Sequence, residues 1–451
     1  MLPLNFRKFI VPIIITPILF PFCSEKNLST QLLESLNSNI IKIWYPLAID
    51  TAYGGFLSNF SFDWKPTKMQ NKMVVTQTRH LWTLANAAIF LNNNKLLEHA
   101  IHGAKFITTK MWDNKYGGFF DLVDRTGIPL YAETSPPKTA YGNSFAIYGF
   151  TALYKVTKNQ TYLDWAIKTF RWLDKHAYDN VYGGYFQALT RKGKPIPQNV
   201  VSSELKDKLK IWKDYNSSIH LLESFSSLYA VWKDSLLRKK LEEMFYIVRD
   251  TIVDKRGFLL LHFARDWTHI SLKSQPVQIF RKNIYVDHVS FGHDVETAYL
   301  LLEAEKTLYG KFSEKTLKIS KKLVDHAIKY GWDKQKGGFY DAAYYFNTEP
   351  EVVNKAKIWW TQAEGLNSLL LFYKLYPNNK SYYELFKKQW DYIDNYLIDQ
   401  KYGGWYAEGL DTDSPQVSKP KAWTWKGNYH NVRALICCIK YLENNHELLK
   451  R

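Results

Sequence analysis

Residues 113–119 read Asp-Asn-Lys-Tyr-Gly-Gly-Phe, and similar stretches occur at six places along the chain. The other copies begin with aspartate, carry one or two glycines and end on an aromatic residue; they start at Asp50, Asp179, Asp254, Asp333 and Asp399. Their last glycines are 63 to 81 residues apart. Such a regular period is the signature of a repeat architecture. The sequence therefore predicts six similar units in one folded body.

Each unit contains the same order of local patterns. An apolar helical pattern ends at the aspartate, and the glycines form a turn because glycine adopts positive φ at little cost. In the second unit, short extended stretches follow at 119–123 and 128–131, and a second apolar helix then begins. The end units are as apolar as the middle ones, which favours a closed ring over an open solenoid. We predict an all-α (α/α)6 barrel of six helical hairpins, with the second helix of each pair inside and short β-hairpins and loops at one end.

Composition and charge exclude several classes of protein. The chain has 451 residues, of which 46% are hydrophobic and 23% charged, the balance of a globular protein. Three cysteines are too few for a disulfide framework. The net charge is +17, but lysine and arginine are scattered and form no known nucleic-acid motif, so we expect no nucleic-acid partner. Aromatic residues make up 16%, which suits surfaces that stack on sugar rings.

The N-terminal residues need a separate interpretation. Two cations precede an apolar stretch at 9–22 that ends at Cys23, the layout of a secretory signal. We predict that residues 1–23 form a signal-like or lipoprotein-like leader and that 24–451 form the barrel. The expected location is outside the cytoplasm, periplasmic or lipid-anchored, with membrane attachment only through the leader. A cytoplasmic protein with an uncleaved tail is the alternative.

Near the predicted start of each inner helix lies a polar or aromatic residue suited to binding or chemistry. In a closed barrel these positions converge at one mouth, where they suit an uncharged, polyhydroxylated ligand. The residues are Arg79, Tyr141, Asn216, His220, His293, Glu296, Trp359, Trp360, Trp425 and His430. Taken singly, each could be an ordinary core residue or a helix cap, and the coincidence across units is what favours a site. No histidine spacing suits a metal, so we predict none.

The segments that carry these residues resemble a known family. They include Gln77-Thr-Arg79-His-Leu-Trp82, Tyr141-Gly-Asn-Ser-Phe, Asn216-Ser-Ser-Ile-His220-Leu-Leu-Glu223, Gly292-His293-Asp-Val-Glu296, Trp359-Trp360-Thr-Gln-Ala-Glu364 and Trp425-Lys-Gly-Asn-Tyr-His430-Asn-Val-Arg433. Together they are similar to the N-acylglucosamine 2-epimerase superfamily, most of all to its cellobiose 2-epimerase branch. The resemblance implies an (α/α)6 barrel that acts on a carbohydrate without a metal or organic cofactor.

The resemblance also implies roles for the site residues. His293 and His430 would be the acid/base pair, and His220, Asn216 and Arg79 would hold the sugar oxygens at C1 and C2. Trp425, Tyr141 and either Trp359 or Trp360 would stack on the substrate, Glu296 would support His293, and Glu364 is counted with the binding residues. The chain departs from the branch at Ser218, where a second histidine is common, and in the Gly-Asn that follows Tyr141.

The chemistry that these residues suggest is removal of the proton on C2, beside the C1 aldehyde of an opened sugar. A neutral imidazole can take this proton near neutral pH. Arg79 and His220 would stabilise the resulting enediolate. Protonation of C2 on the other face yields the 2-epimer, whereas protonation of C1 yields the ketose. The sequence leaves the sugar and the choice between epimerase and aldose–ketose isomerase open.

Two other classes of function remain at this stage. A glycoside hydrolase would need two opposed carboxylates, for which Glu296 and Glu364 are the candidates. A non-catalytic sugar-binding protein would keep the aromatic residues but would not need the histidines. The protein is expected to be a monomer or a homodimer.

Overall fold

The computed structural model describes residues 27–131, 136–198, 205, 209–411 and 416–449. The predicted leader, 1–23, lies outside these residues. Most of the described chain is helical. In chain order the helices are α1 (Leu28–Glu34), α2 (Lys42–Leu47), α3 (Val74–Phe90), α4 (Asn94–Phe106), α5 (Ala140–Thr157), α6 (Gln160–His176), α7 (Tyr215–Tyr229), α8 (Ser235–Ile247), α9 (Val277–Lys282), α10 (Phe291–Tyr309), α11 (Glu314–Gly331), α12 (Trp359–Leu375), α13 (Ser381–Tyr392) and α14 (Tyr429–Leu442).

Wider π-helical turns lie within the outer layer. One joins α1 to α2, and the others extend α4, α8 and α13; they are Ser35–Ile41, Ile107–Met111, Val248–Ile252 and Ile393–Leu397. Single 3-10 turns lie at Ile284–Val286, Gln416–Ser418 and Glu447–Leu449.

The helices form two concentric layers. The inner layer is a ring of six, in the order α3, α5, α7, α10, α12 and α14, in which each helix contacts the next and α14 contacts α3. The outer helices α4, α6, α8, α11 and α13 each pack on the inner helix that precedes them, and α1 packs on α14. The prediction of an all-α (α/α)6 barrel, with the second helix of each pair inside, is confirmed.

Short antiparallel strands connect the two layers at the end where the inner helices begin. They are β1 (Lys72–Met73), β2 (Leu122–Val123), β3 (Lys138–Thr139), β4 (Ala188–Leu189), β5 (Pro195–Ile196), β6 (Lys213–Asp214), β7 (His262–Phe263), β8 (Val289–Ser290), β9 (Ala342–Tyr344) and β10 (Glu351–Asn354). The strands form four small sheets, in the orders β1-β2, β3-β4-β5, β6-β7 and β10-β9-β8. Several inner helices therefore start directly after a strand, which fixes where their first turns lie.

The repeated aspartate–glycine turn attaches the connection to an inner helix in four of the six units. Asp113 Oδ1 accepts the N–H of Lys115 at 3.0 Å, while Gly117 and Gly118 take positive φ of 69° and 74°. The N–H of the next residue, Phe119, donates to Asn143 Oδ1 of α5 at 2.9 Å. The same bond is made to α3, α10 and α12, from Phe56 to Gln77, from Leu259 to Asp294 and from Phe339 to Gln362. The motif thus sets the position of the inner helix, which is why it recurs.

A buried ion cluster locks successive units together. Lys138, immediately before α5, donates from Nζ to Asp113 Oδ2 at 3.0 Å, and Arg191 Nε of the next hairpin donates to the same oxygen at 3.0 Å. The arrangement recurs around Asp50, with Lys72 and Arg125, and around Asp179, with Lys213 and Arg265. These carboxylates and lysines are buried, so each carboxylate needs its cations to offset the cost of leaving water.

The ring closes between the two ends of the described chain. Trp390 Nε1 donates to Gln31 Oε1 at 2.8 Å, and the N–H of Gly404 donates to the carbonyl of Asn39 at 2.9 Å. The first and sixth units therefore interact directly. None of the helices that the structure describes is both long and apolar enough to cross a membrane.

Candidate active site

The predicted residues converge where the inner helices begin. Arg79, His220 and His430 are buried there, and His293 is partly exposed. The Trp360 ring lies close to two histidine rings, with centroid distances of 4.5 Å to His293 and 5.8 Å to His430. The mouth thus combines imidazoles, a cation and a flat aromatic surface.

His430 is held by a carboxylate. Its Nδ1 lies 2.6 Å from Glu364 Oε1, and Tyr299 donates its hydroxyl to Glu364 Oε2 at 2.7 Å. With Nδ1–H donating to the carboxylate, Nε2 is the nitrogen that can accept a proton. Burial lowers the pKa of His430 well below its ordinary value, and the nearby Arg79 charge acts in the same direction. His430 is therefore neutral at neutral pH, as a general base requires.

His293 has different partners from those predicted. Its Nδ1 lies 2.7 Å from Ser290 Oγ and 3.2 Å from the Tyr215 hydroxyl. Glu296, which was predicted to support His293, accepts a hydrogen bond from Arg433 in the barrel interior, and its support of His293 stays a prediction. Burial lowers the pKa of His293 well below its ordinary value, and the neighbouring His220 adds to the effect. His293 is a second neutral imidazole at the mouth.

His220 is oriented from its own helix. Its Nδ1 lies 2.8 Å from Glu223 Oε2, one turn further along α7. Glu223 Oε1 accepts the Tyr429 hydroxyl at 2.8 Å and Arg433 Nη1 at 2.5 Å. Burial alone would raise the pKa of Glu223, but Arg433 and His220 together lower it to about 2. Glu223 is ionised and holds His220 in one tautomer.

A charged layer lies directly beneath the histidines. Arg433 of α14 donates from Nη1 to Glu223 and from Nη2 to Glu296 and Glu364, the last at 2.7 Å. These four side chains are almost completely buried. One guanidinium therefore joins carboxylates from α7, α10 and α12, two of which hold histidines of the mouth. We define these four side chains as the Arg433 layer.

Part of the Arg433 layer has the geometry of a possible metal site. Oxygens of Glu296 and Glu364 and a nitrogen of His430 all lie within 4.8 Å of one another, close enough to share a metal ion. Arg433 already donates to both carboxylates and neutralises part of their charge. Burial raises the pKa of Glu364, and Arg433 opposes that rise. The guanidinium thus serves as the local cation.

Glu296 and Glu364, which were predicted among the substrate-binding residues, lie beneath the mouth. Both side chains are buried to at least 99% and contact Arg433. Both carboxylates are directed at Arg433, and direct contact with the substrate stays a prediction. Sequence reasoning missed Arg433 and Glu223 as members of the site. One signal could have found them, since each lies three residues after a histidine, as Glu296 does.

Arg79 is the cation that faces the mouth. Its Nη2 donates to the Tyr141 hydroxyl at 2.9 Å, and its guanidinium carbon lies 4.3 Å from the centre of the Phe145 ring. Within the described chain Arg79 forms no ion pair, and its Nε lacks a hydrogen-bond partner. A guanidinium without a carboxylate partner can bind ligand oxygens. Asn216 Oδ1 is likewise buried without a hydrogen-bond partner in the described chain.

The aromatic residues divide into those of the mouth and those of the core. The ring centroids of Tyr141 and Trp425 lie 6.3 Å apart, and the ring planes meet at 33°. Trp425 is 50% exposed. Trp359 instead packs on Trp423 at 5.4 Å. Of the two adjacent tryptophans, Trp360 is therefore the one beside the histidines.

Residues 54–434 match the family model of N-acylglucosamine 2-epimerase (GlcNAc 2-epimerase). The chain belongs to this family. A cellobiose 2-epimerase of Dictyoglomus turgidum is 28% identical over 427 residues, which cover 92% of this chain and 99% of that protein. A D-mannose isomerase of Marinomonas mediterranea is 25% identical over 419 residues, 92% of this chain and 98% of that protein. The family resemblance inferred from the motifs is confirmed.

Solved structures in the family have the same fold. The structure of cellobiose 2-epimerase from Spirochaeta thermophila superposes with a TM-score of 0.79 at 27% identity, and the match covers 92% of this chain and 96% of that one. The match therefore supports the same fold for this chain over most of its length.

Proposed function

We propose that this protein is a carbohydrate 2-epimerase that acts on the reducing-end sugar of a disaccharide such as cellobiose. The observation that carries the proposal is the pair of neutral imidazoles, His293 and His430, both of which lie beside the Trp360 ring. Two bases with separate supports can serve the two faces of one carbon. The names of the relatives support the reaction and the disaccharide class.

The reaction begins with an opened sugar whose C1 carbonyl lies beside Arg79. One imidazole takes the C2 proton, and the electron pair moves through the C1–C2 bond to the carbonyl oxygen. Arg79 and His220 stabilise the negative oxygen. Fixed hydrogen-bond donors stabilise such a charge most strongly in a buried site. The other imidazole takes up a proton from solvent and delivers it to the opposite face of C2. The first imidazole then releases the proton it took from C2 to solvent, so that both histidines return to the neutral form. Glu364 and Glu223 keep His430 and His220 in the required tautomers throughout.

The second candidate is an aldose–ketose isomerase. It shares the enediolate and differs only in where the proton returns, to C1 instead of C2. The D-mannose isomerase relative, which matches 92% of this chain, supports this alternative. The product therefore distinguishes the two activities, because one is an aldose and the other a ketose.

The geometry does not favour a glycoside hydrolase. That chemistry needs two carboxylates on opposite sides of the cleaved bond. Glu296 and Glu364 both bind the same nitrogen of Arg433 and are enclosed beneath the mouth. The hydrolase also leaves the three histidines without a role.

The deciding experiment is proton NMR of the protein with cellobiose, lactose, glucose, mannose and N-acetylglucosamine in heavy water. We expect deuterium to enter C2 of a disaccharide together with a new 2-epimer. The His430→Asn variant should lose this exchange by about 100-fold or more, the range that general acid–base catalysis provides. The matched control is His99→Asn, on outer helix α4, which should exchange normally. Cleavage without exchange, or full activity in His430→Asn, would refute the mechanism.

We also propose export through the leader at 1–23 and a monomeric or homodimeric state. The charged-then-apolar N-terminal pattern supports export. N-terminal sequencing of the protein isolated from fractionated cells tests it, because an intact Met1 in the cytoplasmic fraction would contradict it. Light scattering distinguishes the 53.0 kDa monomer from a dimer, and any larger assembly would be contrary to expectation.

A further inference from the structure

A second cavity lies on the side of the Arg433 layer opposite the mouth. Its volume is about 520 Å³, within the range of roughly 300–1,000 Å³ that holds small molecules. The lining comes from the later turns of α3, α5, α7, α10 and α14. Glu223 and Arg433 form part of its wall, so the charged layer separates two chambers of one barrel.

Glu303 is the exceptional side chain in this cavity. It lies on α10, two turns beyond Glu296, and is partly buried. Among the described residues it forms no hydrogen bond or ion pair. Burial raises the pKa of Glu303 to about 7, and the nearby Glu223 charge contributes, whereas the charges of Arg433 and Lys155 oppose the rise. A carboxylate in this position is stabilised by any cation that enters beside it.

The lysines around the cavity have their own explanation. Lys155, Lys306 and Lys440 lie in the last turns of α5, α10 and α14, where positive charge offsets the helix dipole. Lys155 Nζ donates to Ser227 Oγ at 3.2 Å, and Lys306 Nζ donates to the Leu448 carbonyl at 3.0 Å. Lys440 Nζ lies 5.9 Å from the centre of the Phe90 ring. They are helix-end cations with contacts of their own. Lys155 acts on Glu303 only through its charge, because no hydrogen bond or ion pair joins the two side chains within the described chain.

The remaining wall suits an apolar body. Trp82 and Tyr148 stack with ring centroids 5.7 Å apart and planes at 22°, and both line the cavity. Val156 and Ile436 add aliphatic surface. Aromatic faces attract cations as well as apolar groups.

We propose that this cavity is a binding site for a small organic cation, a primary ammonium carried on a short apolar chain. The ammonium pairs with Glu303, and the chain packs against Trp82 and Tyr148. The site is separate from the sugar mouth and takes no part in the proposed reaction. Glu223 lines this cavity and also holds His220. An occupant of the cavity therefore lies next to the residue that orients His220.

Calorimetric titration with three probes of equal length tests the charge preference. The probes are hexylammonium chloride, 1-hexanol and sodium hexanoate, added to the whole protein in the absence of sugar. We expect hexylammonium to bind with one-to-one stoichiometry and at least about tenfold more tightly than the other two, since a charge-assisted bond is made only by the ammonium. Equal binding of all three, tighter binding of hexanoate, or no binding of hexylammonium would each overturn the proposal.

Variants place the binding at this cavity. Glu303→Gln should weaken hexylammonium binding at least about tenfold, whereas Glu98→Gln, an exposed glutamate on outer helix α4, should leave it unchanged. Ala230 lines the cavity and is exposed, so a larger side chain there should fill the cavity without disturbing the core. Ala230→Trp should therefore abolish binding. This second variant keeps the test decisive if Glu303→Gln fails to fold. Unchanged binding in a folded Ala230→Trp protein would refute the assignment. No sugar is present, so the outcome is independent of the proposed epimerase activity.

Discussion

Glu364 Oε1 lies 2.6 Å from Nδ1 of His430 and 2.7 Å from Nη2 of Arg433. The same carboxylate oxygen therefore holds a histidine of the mouth and the guanidinium of the layer below. The position and the proton affinity of His430 both depend on this one contact.

Glu364→Gln should keep the shape of the site and remove the charge. Without the carboxylate, the protonated imidazole is less stable, so the pKa of His430 falls further. Because the base must be neutral, activity is lost as pH falls through that pKa, and the acidic limb of the kcat profile should move to lower pH. We expect kcat at neutral pH to fall by about 10- to 100-fold, since tautomer control is lost. Glu349→Gln, an exposed control, should leave the profile unchanged.

Arg433→Met should destabilise the protein strongly. It leaves three buried carboxylates without their shared cation, and breaking a buried pair costs about 3–5 kcal/mol. Arg171→Met is the matched control, because Arg171 pairs with Asp234 while 44% exposed. Its cost should be about 1 kcal/mol or less. Urea unfolding of both variants gives the comparison, and equal losses would contradict the importance given to the layer.

Gly118→Ala should cost more than Gly310→Ala. Both glycines have nearly the same positive φ, 74° and 75°, so the backbone strain is matched. An added Cβ at Gly118 would lie 2.6 Å from the Trp172 ring, whereas nothing lies within 4 Å of one at Gly310. We expect an extra loss of about 1–3 kcal/mol at Gly118 from overpacking. The difference in free energy of unfolding measures it, and similar losses at the two positions would show that Trp172 moves aside freely.

Asp113→Asn should lower stability in a manner that depends on pH. Burial would raise the pKa of Asp113, but Arg191 and Lys138 lower it to about 2, below its ordinary value of 3.8. A depressed carboxyl pKa stabilises the fold above the unfolded value, and this stability is lost as pH falls through the folded one. The wild-type advantage over Asp113→Asn should therefore be full above about pH 5 and shrink between pH 4 and pH 2. A constant difference in urea midpoints across that range would contradict the ion cluster.

The fold was predictable because its determinants are local and repeated. The turn at Asp113 and Gly118 recurs in every unit, and in four units it binds an inner helix through an N–H that follows the glycines. The mouth followed from the same regularity, since residues near the starts of inner helices must converge when the ring closes.

The charged layer was not predictable in the same way. Spacing along α10 places Glu296 one turn from His293, and side chains at that spacing on one helix can contact each other. Arg433, from the sixth unit, takes the carboxylate instead, together with partners from the third and fifth units. Which of two possible partners a buried carboxylate chooses depends on contacts across more than 130 residues of sequence, and periodicity carries no information about them.

The seam between Gln31 and Trp390 has a consequence for how the chain assembles. Helix α1 packs on α14, which is the last inner helix in the order of the chain. Helix α1 therefore finds its partner only after the other units have been synthesised. Before α14 is in place, the ring of inner helices is incomplete, and the apolar surfaces of α3 and α12 that contact α14 are uncovered. Long-range closure of this kind slows folding, because the entropy of bringing distant segments together is lost before their contacts form. The final helix that completes the barrel also carries His430 and Arg433, so the machinery of the mouth and the closure of the ring arrive in the same step.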